Sequence, residues 1–333
     1  MNRKCRGCGA IMQSEDKNKI GYVPTFKSTT SDYCERCYKI IYYNEKTVTK
    51  LEHINEKILG EVNEKGKYAY FLVDLLNINK ETMDTFKMLR IPKTLVISKM
   101  DVVPKSIKEH VITEWLRNVY GIFDEVLYQS TKKNFNTKSL LRNLEDKGME
   151  ECYVLGFANA GKSTLINKLC SFGESKTVPI ATSLVPNTTI DFIEIALDEK
   201  RKIIDSPGFT LKGTIYDEDE FDLIKRVNAK NAIKPVTYQV KEISSILIED
   251  KIRIKSDIKN SFTFYMSNDI LIERVFAHNT KRMEKECIVL DIPNNSDLVI
   301  RSLGFINIKK ACKLEIYIDK KELVEVRKSM FRD

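Results

Sequence analysis

The chain has 333 residues, 42% of them apolar, which is enough for two or three domains with a sizeable core. No stretch reaches the roughly 18 apolar residues that span a bilayer, and Met1-Asn-Arg-Lys-Cys5 lacks the apolar run of a secretory signal, so the reading is a soluble cytoplasmic protein. The net charge of +8 is uneven, with ten basic against five acidic residues in 1–50 and 21 against 15 in 226–333. Basic flanks are where a nucleic-acid contact would be placed, the plainer alternative being a solvated lysine-rich surface.

In residues 1–50 the paired cysteines dominate and helical periodicity is slight. Cys5-Arg-Gly-Cys8-Gly9 and Cys34-Glu-Arg-Cys37 are two C-x-x-C pairs with 25 residues between them. Each pair can clasp one side of a tetrahedral Zn²⁺, and Gly9 permits a tight turn after the second sulfur. A redox pair would sit at the start of a thioredoxin-like helix, which nothing here resembles; an iron–sulfur cluster is the other alternative. Structural zinc on Cys5, Cys8, Cys34 and Cys37 is the expectation, because four thiolates leave no open position for catalysis. Cys152, Cys170, Cys287 and Cys312 are scattered and read as packing residues.

From residue 68 to 210, short apolar strands alternate with amphipathic helices, the pattern of a parallel α/β sheet. Strands are expected at Tyr68–Val73, Thr94–Ile97, Glu125–Tyr128, Cys152–Leu155, Ile190–Ala196 and Lys202–Ile204. Helices are expected at Met83–Leu89, Ile107–Val119, Ser139–Leu144 and Lys162–Leu169. Beyond Lys234 the pattern alternates with period two, as in Val236–Ile243, Ile252–Ile254, Ser261–Tyr265, Leu298–Ile308 and Lys313–Ile318, which predicts a β-rich module. The expected domains are 1–50, 51–225 and 226–333.

Within the α/β region, Ser98-Lys99-Met100-Asp101 comes first. It reads as the guanine-selecting N/T-K-x-D element, in which Asp101 accepts hydrogen bonds from guanine N1–H and the exocyclic amine while the Lys99 stem lies along the base. Ser130-Thr131-Lys132 follows the next strand and matches an S-A-K element that offers amides to guanine O6. Then Gly156-Phe-Ala-Asn-Ala-Gly161-Lys162-Ser163 fits G-x-x-x-x-G-K-[ST] between a strand and a helix. Asn159, Ala160, Gly161, Lys162, Ser163 and Thr164 form the phosphate-binding set, with Lys162 on the β/γ phosphates and Ser163 on Mg²⁺. Thr189 is the candidate switch threonine for Mg²⁺, with Thr188 and Thr182 as substitutes. Asp205-Ser-Pro-Gly208 supplies D-x-x-G, in which Asp205 holds Mg²⁺ through water and the Gly208 amide senses the γ-phosphate.

This order is reversed relative to an ordinary GTPase, where the phosphate loop precedes the base elements. A doubly wound domain has its ends close together, so joining them near Asp146–Glu151 and cutting after D-x-x-G preserves the fold. The cut leads directly from Gly208 into 226–333, a path along which γ-phosphate contact could be relayed.

With C-x-G-C-G, Y-C-x-R-C, the permuted elements, T-S-x-x-P-x-T-T-x-D, D-S-P-G and a β-rich tail, the chain resembles the YqeH-type circularly permuted GTPases over nearly its whole length. The resemblance implies a circularly permuted P-loop GTPase domain with a doubly wound, mostly parallel sheet. An N-terminal zinc-knuckle domain and a β-rich C-terminal domain flank it. It also implies a switch in small ribosomal subunit assembly, with rRNA or ribosomal proteins contacted by the flanks and no membrane involved. Two departures stand out. Ser98 replaces an Asn, losing an amide that ties its strand to the phosphate loop, and Asn187 replaces a Gly before the switch threonines.

Phe209 stands where Ras-like enzymes place a water-orienting Gln, which predicts slow hydrolysis. Asn159 matches the position that holds K⁺ in some such GTPases, so K⁺ stimulation is expected; the alternative is a loop-stabilising side chain. Lys162, Thr189, Gly208 and Asn159 are then the catalytic set. Two other functions compete: a nucleotide-gated RNA-binding protein with negligible hydrolysis, and an ATP-dependent enzyme, which has no use for Asp101. His53, His110 and His278 are isolated. Tyr42-Tyr43 and Phe262, Phe264 and Tyr265 could stack on RNA bases, with core packing as the commoner role.

Overall fold

The paired cysteines draw the first forty residues into tight turns and one helix, α1 (Glu35–Tyr43), with Cys37 in its first turn. Among the described residues this helix packs on the cysteine cluster, and the sequence shows little periodicity here. In the computed structural model that cluster buries Cys5, Cys8, Ala10, Val23, Tyr33, Cys34, Cys37 and Ile40. A second helix, α2 (Ile54–Lys65), buries Ile54, Ile58 and Val62, one residue per turn, and a third, α3, spans Lys80–Met88. The structure describes residues 3–27, 30–43, 53–104, 106–172, 190–216, 220–242, 244–276 and 285–331. They fall into two units. One comprises Met1–Leu75, Asp84–Met100 and Asp124–Leu211, and the other Leu76–Met83, Asp101–Phe123 and Lys212–Asp333.

Six strands of the first unit form one sheet: β1 (Ala69–Asp74), β2 (Lys93–Ser98), β3 (Glu125–Tyr128), β4 (Glu151–Gly156), β5 (Ile193–Ala196) and β6 (Lys202–Asp205). Their spatial order is β3-β2-β1-β4-β6-β5. All neighbours are parallel except β5, which runs antiparallel to β6 at the edge. β1 is buried at every position and β4 at all but its first, as central strands covered on both faces should be. The chain runs outward from β1 to β2 and β3, then returns to the other side of β1 for β4. The reversal between β1 and β4 opens a crevice at the carboxyl ends of these strands, where open α/β sheets bind ligands.

Helices α5 (Thr137–Asp146) and α6 (Lys162–Cys170) cover one face. Leu140, Leu144, Leu165, Ile166 and Leu169 meet Tyr70, Leu72, Val154 and Ile203 there. Each such side chain contributes about 1.5–3 kcal/mol through burial. The buried Tyr70 hydroxyl donates to the Leu140 carbonyl at 2.8 Å, so it carries no desolvation penalty. Cys152 lies in this core as expected.

The second unit contains α4 (Glu109–Tyr120), α7 (Phe221–Val227) and ten strands. These are β7 (Val236–Val240), β8 (Ser244–Ile248), β9 (Ile252–Ser256), β10 (Asn260–Met266), β11 (Ile272–Phe276), β12 (Glu286–Ile292), β13 (Ser296–Ile300), β14 (Gly304–Ile308), β15 (Cys312–Ile318) and β16 (Val324–Lys328). They make two antiparallel sheets ordered β16-β13-β14-β10-β7 and β11-β8-β9-β15-β12. Period-two alternation sends Phe262 and Phe264 into a common core with Ile246, Ile254, Leu298, Ile306 and Ile316. The expected run Leu298–Ile308 is two strands, because Ser302 (φ 62°) and Gly304 (φ 133°) turn the chain between them. The indole of Trp115 on α4 donates to the Lys328 carbonyl at 3.0 Å, and the Arg327 guanidinium lies 4.6 Å from the Trp115 ring. Arg327 also faces the fully buried Asp297 at 3.5 Å, whose carboxyl burial pushes upward. Cys287 on β12 departs from its expected packing role: it is exposed.

Candidate nucleotide site

β4 delivers the phosphate loop into the crevice. Gly156 takes φ 146° and Gly161 φ 92°, and Asn159 adopts the left-handed conformation at φ 64°, so the backbone curls before α6 begins at Lys162. The first turn of α6 leaves N–H groups without intrahelical acceptors, an arrangement that suits anions. Two amides of the loop are already engaged, Ala158 N–H with the Phe209 carbonyl (3.0 Å) and Ala160 N–H with the Phe157 carbonyl (3.2 Å). Those of 159 and 161–164 are the remaining candidates for phosphate. Ser163 is half-buried and Thr164 exposed at the helix start.

Lys162 is the buried cation of the loop. Its Nζ donates to the carbonyls of Gly156 (3.0 Å) and Phe157 (3.3 Å). The D-x-x-G segment packs against it: a Cβ on Gly208 would lie 3.2 Å from Lys162 Nζ and 3.2 Å from the Ala158 backbone. A side chain at Gly208 would crowd both the loop backbone and the Lys162 ammonium, so the glycine eases this close approach. Asp205, at the end of β6, is fully buried.

Burial pushes the Lys162 ammonium down to about 8, and the Asp205 charge partly restores it. A bound phosphate favours the charged form, so above this value binding must be accompanied by proton uptake. GDP affinity is expected to be level below about pH 8 and to fall by up to about tenfold per pH unit above it. Calorimetry in two buffers of different ionisation heat reads the proton uptake, and Lys162→Met should abolish it.

Phe209 is fully buried among Phe71 and Phe157, with ring centroids 5.9 and 5.5 Å away. The position after D-x-x-G is therefore a core anchor that bridges to the loop at Phe157. It cannot orient water.

On the other side of β1, the base elements sit at the ends of β2 and β3. The Ser98 hydroxyl donates to the Ala160 carbonyl at 2.8 Å, so the tie expected to be lost with an Asn is made by the serine. Lys99 takes φ 56° and its Nζ meets the Asp74 carboxylate at 3.3 Å. Asp74 belongs to no motif, and the one signal for it was its position at the end of the strand neighbouring Lys99. Gln129 N–H donates to Ile97 and Met100 N–H to Gln129, at 3.0 and 3.1 Å, which joins the two base elements. Ser130 is buried and Thr131 half-buried beside it. Asp101 is the first residue of its segment in the second unit, where the following Val102 carbonyl accepts from Ile233 N–H at 2.8 Å. Thr182, Thr188, Thr189, Asn187 and His278 lie outside the described residues.

The strand carrying the phosphate loop stands fourth in the chain yet lies between the base-element strands β1–β3 and the D-x-x-G strand β6. Residues 151–267 match the family described as "50S ribosome-binding GTPase". The chain is 27% identical to the Bacillus subtilis protein YqeH, over 98% of both chains. The chain has the fold of a circularly permuted P-loop GTPase and is similar to YqeH. An Arabidopsis protein named NO-associated protein 1 is 24% identical over 81% of this chain, which spans 54% of that protein. The YlqF structure from Thermotoga maritima with bound GNP matches 48% of this chain and 60% of its own at 17% identity, with a TM-score of 0.32.

This permuted GTPase carries a second site at its N-terminus. The thiol sulfurs of Cys5, Cys8, Cys34 and Cys37 lie within 4.8 Å of one another and are buried. The Cys8 and Cys34 sulfurs are 3.9 Å apart, close to the ~3.8 Å edge of a tetrahedron with Zn–S of ~2.3 Å. Cys34 N–H points at the Cys5 sulfur at 3.2 Å, a donor that favours thiolate there. Crowding separates the thiols by hydrogen bonding among themselves, lowering Cys5 and Cys34 and raising Cys8 and Cys37. The donor set fits a closed structural zinc site.

Of the aromatic candidates for base stacking, Phe262 and Phe264 belong to the core and Tyr265 stacks on Phe305 at 4.9 Å. Tyr42, at 59% exposure, is on the surface and packs against Tyr38 at 4.6 Å.

Proposed function

We propose that the chain is a slow, K⁺-stimulated GTPase switch that acts in the cytoplasm during assembly of the small ribosomal subunit, contacting rRNA or ribosomal proteins through its basic flanks. One observation carries the nucleotide part. The phosphate loop, D-x-x-G and both base elements all leave the carboxyl ends of strands in one sheet, although the chain visits the two base elements before the phosphate loop. A ribosomal role in general is supported by the matched family's description, which names the 50S subunit, and by the excess of basic residues at both ends; the choice of the small subunit comes from the YqeH-type resemblance alone.

In the mechanism, Lys162 compensates charge on the β/γ phosphates and the Gly208 amide donates to the γ-phosphate. Ser163, Thr189 and Asp205 would hold Mg²⁺, which supplies charge neutralisation on the phosphate oxygens. Asp101, Ser98, Lys99, Ser130 and Thr131 select guanine. With Phe209 in the core, no side chain after D-x-x-G orients water, so turnover is slow. Asn159, turned by its left-handed backbone, is the residue that would hold K⁺.

One experiment separates this reading from nucleotide-gated RNA binding without hydrolysis. Phosphate release is measured in KCl and in NaCl, alone and with isolated small or large ribosomal subunits. Release should be faster in KCl and should rise further with small subunits. Equal rates in all arms would refute the switch, and stimulation by large subunits alone would reassign the partner.

A further inference from the structure

The break that the permutation makes lies just after D-x-x-G, and one side chain spans it. In circular order, a chain leaving β6 through Gly208 would run on into the helix that precedes β1, which here is α2. The contact that bridges the break joins residues 155 apart in sequence: Asn55, in the first turn of α2, grips Thr210, two residues beyond Gly208. Asn55 Nδ2 donates to the Thr210 carbonyl at 2.9 Å. Its Oδ1 accepts from Thr210 N–H at 2.9 Å and from the Thr210 hydroxyl at 3.3 Å. An amide offers a donor and an acceptor side by side, which a carboxylate does not. The helix is a firm mount, because Ile54, Ile58 and Val62 are buried beneath it.

Phe209, between Gly208 and Thr210, is tied to the phosphate loop instead. Its N–H donates to the Gly156 carbonyl at 3.1 Å, and its carbonyl accepts from Ala158 N–H at 3.0 Å. The two residues after Gly208 are thus held by the loop and by α2 in turn. Neither Asn55 nor Thr210 belongs to a motif, and the chemistry above uses neither.

We propose that Asn55 is a positioning residue for the γ-phosphate sensor: its clasp on Thr210 rejoins what the permutation separates and holds the Gly208 amide ready for GTP. This rests on the reading of Gly208 as that sensor. A segment held in its binding conformation before the ligand arrives does not weaken affinity by having to be selected from a minor population. GDP makes no demand on Gly208, so the clasp favours GTP over GDP.

The test measures the affinities of a non-hydrolysable GTP analogue and of GDP, both with Mg²⁺, on the full chain. Asn55→Ala removes the clasp at a half-buried helical position where alanine is the better helix former, so the fold should persist. It should weaken the analogue about tenfold and leave GDP within about twofold. Thr210→Val keeps both backbone bonds and should stay close to wild type. Hydrogen exchange reads the clasp itself: in Asn55→Ala the Thr210 amide should exchange faster, while the Phe209 amide, bonded to Gly156, stays protected. An unchanged analogue-to-GDP ratio in Asn55→Ala would overturn the proposal. Equal weakening of both nucleotides would also overturn it, since that marks a merely structural contact. Gly208→Ala is the control on the premise. If it leaves the ratio intact, Gly208 is not the sensor and the role of Asn55 falls with that reading. If it collapses the ratio while Asn55→Ala does not, only the clasp fails.

Discussion

Stripping the metal from the four thiolates should unfold residues 3–43 while leaving the six-stranded sheet in place. The reason is the small size of the N-terminal core, in which four of eight buried residues are the cysteines themselves. Ala10, Val23, Tyr33 and Ile40 provide about 5–10 kcal/mol of burial, against roughly 1–2 kcal/mol of backbone entropy per ordered residue. Structural zinc supplies about 10–16 kcal/mol in comparable small sites, and here that would be most of what keeps the region folded. Without it, the buried thiols lose their only strong common partner. Hydrogen exchange makes the expectation specific. After chelation, the amides of Cys5, Gly9 and Tyr38, hydrogen-bonded to backbone carbonyls, and of Cys34, which points at the Cys5 sulfur, should exchange at unfolded rates. Amides of β1, β2 and β4 should stay protected, since their core is built from Tyr70, Leu72, Val96 and Val154 and includes none of the knuckle. Cys34→Ser should reproduce the result without a chelator. Acidification should also favour metal loss, because protons compete for the thiolates. Retained protection in a sample shown by metal analysis to be zinc-free would contradict this account.

Much of the first unit could be read in advance because motif and element coincide. The phosphate loop requires a strand before it and a helix after it, and β4 and α6 stand there. Central strands such as β1 and β2 are short, with apolar runs (Ala69–Val73 and Leu95–Ile97) flanked by polar residues, so their ends fell within a residue or two of expectation. The contacts that assemble the site were less legible. Asp74 pairs with Lys99 across neighbouring strands, and Ser98 reaches a carbonyl 62 residues on; both depend on strand order, which local pattern does not encode. Gly9 signalled a turn, but its second use, making room for the Asp191 carbonyl, needs the fold.

The second unit was harder. β8, β11, β12 and β16 went unrecognised: β8 is nearly continuous in its burial, β11 is largely exposed, and β12 alternates in burial but its exposed Val289 makes Cys287–Leu290 read as an unbroken apolar run. β16 is recognisable mainly by its pairing with β13. Helix α1 was missed for a different reason: half of what it packs on is sulfur, and metal ligands do not register as an apolar stripe.

Permutation leaves the chemistry of base selection unchanged and changes only which end of the domain is free. Asp101 should therefore behave as the base-reading aspartate of a GTPase regardless of its position ahead of the phosphate loop. In that role its carboxylate would accept two hydrogen bonds from guanine, each charge-assisted and worth about 1.5–3 kcal/mol. Replacing it by Asn removes the charge and turns one acceptor into a donor. Guanine N1–H and its amine then lose a partner, whereas xanthine, with a carbonyl in place of the amine, gains one. The cost to GDP is about two to four orders of magnitude in affinity, at about 1.4 kcal/mol per tenfold. A protein that merely lost stability would weaken both nucleotides alike.

The decisive measurement is a competition of GDP and XDP for the wild-type chain and for Asp101→Asn. The account predicts strong guanine preference in the first and a reversal to xanthine in the second, with Lys162→Met weakening both diphosphates in either background. An Asp101→Asn chain that still favours GDP would show that this aspartate does not read the base held over the Lys162 loop.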